Sequence, residues 1–71
     1  MKKLFAIQNK KYGAVYNPYE NRFFESQWAT VWCNDREYLE VKMDENPVFF
    51  SNCQIIEEEF DNEQLIYIDQ F

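Results

Sequence analysis

The 71-residue sequence predicts a small α+β domain, an antiparallel β-sheet with an N-terminal hairpin and one short helix. Three observations carry that class. Short runs rich in β-branched and aromatic residues recur along the chain, bounded by Asn, Asp or Pro, which favour turns. One segment, 34–46, has helix-capping chemistry at its start and a proline just past its end. The length suits one domain, residues 1–71.

Leu4-Phe5-Ala6-Ile7-Gln8 reads as the first strand, apolar on both faces and therefore central. Asn9-Lys10-Lys11 supplies a turn, and Tyr12 to Tyr16 reads as the returning strand, with Tyr12, Ala14 and Tyr16 on one face. Asn17 to Asn21 contains Pro18 and reads as a loop. Arg22 to Glu25 is a short extended piece, and Ala29 to Cys33 a third strand.

The segment 34–46 admits two readings. Asn34 with Glu37 three residues on fits a helix cap, and Leu39 and Met43 share a helical face that ends before Pro47. Leu39, Val41 and Met43 also alternate as a strand would, which turns the domain into an all-β meander. The capping pattern favours the helix. Cys53 to Glu58 and Leu65 to Ile68 read as the last two strands, with Asp61-Asn62 turning between them.

Charge is segregated along the chain. All seven Lys and Arg residues lie at or before Lys42, whereas Asp44, Glu45, Glu57, Glu58, Glu59, Asp61, Glu63 and Asp69 follow it. The net charge of −6 opposes direct binding to nucleic acid or to an anionic membrane, which need clustered cations. It equally serves solubility.

Histidine is absent, which removes the commonest general base and metal ligand. Ser26, Ser51, Cys33 and Cys53 have no His partner for nucleophilic chemistry. The acids around Asp44 and Asp61 lack the alternating spacing and the glycine of a calcium loop. No enzyme activity, cofactor or metal is expected. The start Met-Lys-Lys-Leu-Phe-Ala-Ile has the flavour of a signal peptide, but the apolar run stops at Gln8. A cytoplasmic protein with two reduced, structural thiols is expected.

Fourteen aromatic residues exceed what so small a core needs, so some are expected at the surface as contact anchors. Trp28 and Trp32, four apart, share a face on either a helix or a strand.

Three stretches together resemble a class of small phage-encoded proteins: Leu4 to Gly13 as the opening hairpin, Ala29 to Trp32 followed by Asp35 to Leu39 as a strand–helix junction, and Cys53 to Glu58 as a closing acidic strand. The resemblance implies a protein that inhibits host machinery or a bacterial immune system, as anti-CRISPR proteins and DNA mimics do.

The acidic block fits that implication. On a strand, Glu57 and Glu59 share one face and Glu58 takes the other, and carboxylates about 6–7 Å apart match the spacing of phosphates along a nucleic-acid strand. The same charges also suit an edge strand kept from aggregating. The expected partner is a host or defence protein with a basic surface. It would be gripped by Glu57, Glu58, Glu59, Asp61, Glu63, Asp44 and Glu45, with Tyr12, Tyr16, Tyr19 and Trp28 as aromatic contacts. The alternative is an assembly subunit that forms a homodimer or other small homo-oligomer.

Overall fold

The computed structural model describes the backbone of residues 1–71 and every side chain except that of Asp69. A four-stranded antiparallel sheet, in spatial order β3 (Arg22–Phe24), β2 (Val15–Asn17), β1 (Lys2–Asn9) and β5 (Cys53–Phe60), carries one α-helix, and a short parallel pair of strands, β4 (Val31–Trp32) and β6 (Asp69–Gln70), lies beside it.

Strand β1 (Lys2–Asn9) is central because its apolar run can be buried on both sides. Ile7 packs with Tyr16, Cys33, Leu39 and Phe50 on the helix side, joined by Phe5. Leu4 and Ala6 pack with Trp32 and Phe60 on the opposite side. The turn after β1 is built as its residues predict. The Asn9 side chain accepts hydrogen bonds from the Lys11 and Tyr12 amides at 2.9 and 3.0 Å, and Gly13 adopts φ 72°, where other residues are strained.

The hairpin is shorter than expected. Strand β2 is Val15–Asn17, not Tyr12 to Tyr16, and its register with β1 is Gln8 opposite Val15. Tyr12 belongs to the turn, because the Asn9 bonds close the chain there. Strand β3 (Arg22–Phe24) pairs with β2, and Asn21 at φ 53° turns the chain between them.

A 3₁₀ turn at Gln27–Ala29, capped by the Ser26 hydroxyl, precedes β4 (Val31–Trp32). The expected strand from Ala29 is thus trimmed at its start. Beyond β4, Cys33 and Phe5 exchange backbone hydrogen bonds at 2.8 and 2.7 Å.

Helix α1 (Arg36–Glu45) overturns the all-β alternative. Its cap is Asp35, whose carboxylate accepts from the Tyr38 amide at 3.3 Å, and not Asn34, one residue earlier. Leu39 is buried and Met43 packs beside it, as their spacing predicts, and the helix stops before Pro47. Arg36 pairs with Glu40 one turn on, at 3.0 Å.

Strand β5 (Cys53–Phe60) pairs with β1 along its whole length, from Lys2 opposite Phe60 to Asn9 opposite Cys53. The strand expected at Leu65 to Ile68 is not formed. Asp61 and Gln64 cap each other, each side chain accepting the other's amide at 3.2 and 3.0 Å, and this reciprocal bonding winds Gln64–Ile66 into a 3₁₀ turn. The chain then forms β6 (Asp69–Gln70), parallel to β4. No helix among the described residues is long and apolar enough to cross a membrane.

Candidate partner-binding site

The pairing of β1 with β5 folds the two ends of the charge gradient together. Lys3 lies opposite Glu59, and its ammonium reaches the Glu57 carboxylate at 3.5 Å. Glu57 and Glu59 therefore share the helix-side face with a cation, while Glu58 lies opposite Leu4 on the other face with no ion-pair partner among the described residues. The back half of the chain is less uniformly negative in space than it is in sequence.

Strand β5 is the edge of its sheet. Its free side follows from antiparallel geometry. Phe5 spends its N–H and C=O on Cys33, away from β5, and Asn9 likewise donates to Ala14. In β1 the even-numbered residues must then face β5, so Leu4–Glu58 and Ala6–Ile56 are the hydrogen-bonded pairs. Ile55, Glu57 and Glu59 consequently direct their N–H and C=O groups outward, where no described residue meets them.

Beside this edge, on the face away from α1, lies a groove of about 710 Å³. Ile56, Glu57 and Glu58 of β5 form one wall, Trp28 and Gln27 of the first 3₁₀ turn another, and Tyr67 and Ile68 a third. Trp32 and Val15, both buried, contribute to its floor. Trp28 is 97% exposed and Tyr67 87% exposed, an unusual display of two large rings. Trp28 sits in the 3₁₀ turn that packs beside β2, and Tyr67 follows the second 3₁₀ turn; among the described residues neither ring is covered.

The expected site residues divide accordingly. Glu57, Glu58 and Glu59 lie on β5, and Glu57, Glu58 and Trp28 line the groove beside it. Glu63 is exposed just beyond the strand, but the Asp61 carboxylate is engaged in capping. Asp44 and Glu45 close α1 at the end where β5 begins, and roughly 20 Å of strand separates Cys53 from Glu59 at about 3.3 Å per residue, so they do not join the block.

The aromatic expectations need one firm correction. Tyr16 is buried, not a surface contact: its ring packs against Phe23, Phe49 and Phe50, and its hydroxyl donates to Asn21 at 2.6 Å. Its position on β2 points it into the core under α1. Tyr12 is exposed in the first turn, with Lys11 over its ring. Tyr19 is exposed on its ring, but its hydroxyl donates to the Gln70 carbonyl at 2.9 Å and its ring meets Phe71. Trp28 and Trp32 share the groove, yet only Trp28 is exposed. Tyr67 was missed because its run, Leu65 to Ile68, reads as an ordinary strand.

Burial raises the Cys53 thiol above its ordinary value of 9.0, with Lys10 acting against it. Burial likewise raises the Tyr16 phenol above 10.0, opposed by Lys42 and reinforced by Tyr38. Neither group lines the groove beside β5. Among the described residues no three acidic, Cys or His side chains cluster as metal ligands.

Comparison with family models, with curated proteins and with solved structures finds no match to this chain.

Proposed function

We propose that this protein is a non-catalytic binding domain that blocks a basic protein of a bacterial host or its immune system, in the manner of a phage-encoded inhibitor acting in the host cytoplasm. The observation that supports this reading is the open edge of β5, with three consecutive glutamates beside a groove flanked by exposed Trp28 and Tyr67. Glutamates steer a cationic surface to the site, and the aromatic rings supply area that loses its water on contact. The mechanism is occupancy: a partner surface that normally meets nucleic acid or another protein is covered. Asp44 and Glu45 stand outside this contact and serve solubility.

The test is capture from bacterial lysate at low and high salt, by the natural protein and by the variant Glu57→Gln/Glu58→Gln/Glu59→Gln. Asp61 is left alone because it caps the second 3₁₀ turn. A basic protein retained at low salt, released at high salt and lost with the variant supports the proposal. Equal capture by both proteins overturns it.

A further inference from the structure

Resting on that reading, we infer how the partner is held: an extended basic segment of another protein adds as a strand to the outer edge of β5, and one of its Lys or Arg side chains enters the groove between Trp28 and Tyr67 beside Glu58.

The edge itself is the first argument. Folded proteins normally shorten, bulge, cover or charge a sheet edge, because its unpaired backbone groups are a template for another strand; the glutamates of β5 guard it against like-charged strands and leave it open to basic ones. Strand β5 runs for eight residues, is regularly paired with β1 throughout and is left open along its other side. Ile55, Glu57 and Glu59 each present a donor and an acceptor there, in the two-residue repeat that an added strand needs.

Charge selects the occupant. A second copy of β5 brings six glutamates to one ladder and, in antiparallel registers centred at Glu57, Glu58 or Glu59, sets them directly opposite one another, which is destabilising; only registers centred at Ile55 or Ile56 avoid this, and sedimentation tests them. Nucleic acid is repelled by the same carboxylates. A segment carrying cations is attracted, and the faces of the sheet dictate where they go. Side chains of the added strand on the helix side meet Glu57 and Glu59, one of which Lys3 already serves. Side chains on the other face meet Ile56 and Glu58 and lean over the groove. There an ammonium or guanidinium finds an unpaired carboxylate and the rings of Trp28 and Tyr67, a setting that stabilises a cation by both charge and ring quadrupole.

The probe is a synthetic peptide of alternating Arg and Val, added to the intact protein at low salt. Binding is followed by Trp fluorescence and by amide exchange measured by NMR. Exchange is expected to slow at Ile55, Glu57 and Glu59 together. N-methylating alternate peptide amides is expected to weaken binding about tenfold in one register and leave it unchanged in the other, since only one set faces β5. Glu57→Pro removes an outward donor and spares the β1 ladder, so it should weaken binding beyond the effect of Glu57→Gln. The N-methyl arms hold even if the proline variant folds poorly.

Salt-sensitive binding that is equal in both N-methyl registers, without slowed exchange, overturns strand addition and leaves the acidic-surface reading standing. A basic lysate protein that is captured while the peptide is ignored has the same meaning. Slowed exchange along β5 in the protein alone, with a dimer in sedimentation, overturns it in favour of a second copy. Failure to bind either the peptide or any basic protein sinks both proposals.

Discussion

Lys3 sits directly across the ladder from Glu59, yet its ammonium leans to the diagonal neighbour Glu57, 3.5 Å away. Both ends of that ion pair are about half exposed, so water and salt screen it and its worth to the fold is small. Its larger effect is on the field outside: it cancels one of the two carboxylates that β5 carries on the helix-side face.

Lys3→Gln should therefore change folding stability by no more than about 0.5 kcal/mol in urea denaturation. The same variant should bind a cationic partner more tightly at low salt, with the gain fading as salt is added. A loss of binding would mean that Lys3 itself touches the partner.

The start of α1 offers a sharper test of the structure. Asp35→Ala removes the cap on the Tyr38 amide and should cost about 1 kcal/mol. Asn34→Ala should cost much less, although sequence pattern alone nominates Asn34. Thermal melts followed by circular dichroism separate the two residues directly.

Trp28 and Trp32 should respond oppositely to a soluble quencher. Trp28 stands almost wholly in solvent, whereas Trp32 is buried against Phe60. Trp28→Phe should remove most of the quenchable, red-shifted emission, and Trp32→Phe should leave it. Trp28→Ala should keep the melting temperature within a few degrees, because the residue covers no core, while weakening partner binding by tenfold or more if it is the aromatic anchor, since such anchors cost about 2 kcal/mol or more when truncated.

Alkaline pH should destabilise the domain. Cys53 and Tyr16 hold their protons more firmly when folded than in the unfolded chain, whose ordinary values are 9.0 and 10.0. The unfolded chain thus ionises first as pH rises. Stability from these groups is whole below about pH 9 and declines above it, first through Cys53 and then through Tyr16. Cys53→Ser and Tyr16→Phe should each flatten that decline in urea titrations between pH 8 and 11.

What was readable from sequence was local. The turn at Asn9, the helical spacing of Leu39 and Met43, and the strand beginning at Cys53 all depend on residues within a few positions of each other. What was hidden depends on distant partners. Nothing near Lys3 shows that it will lie across from Glu59, so the charge gradient along the chain overstated the gradient in space. Tyr16 and Trp28 are both amphipathic aromatics, and contacts with Phe23, Phe49 and Phe50, the last two far along the chain, decide that Tyr16 is covered. The run from Leu65 to Ile68 has strand composition, but the mutual caps of Asp61 and Gln64 hold its start in a 3₁₀ turn instead.

The pairing of Lys2 with Phe60 has a consequence during synthesis on the ribosome. The central strand is made first and its longest neighbour nearly last, so Leu4, Phe5 and Ile7 wait without their final shelter until most of the chain has emerged. Nascent chains stalled before Cys53 should consequently remain protease-sensitive, and folding of the finished product should be limited by closure of that one long loop.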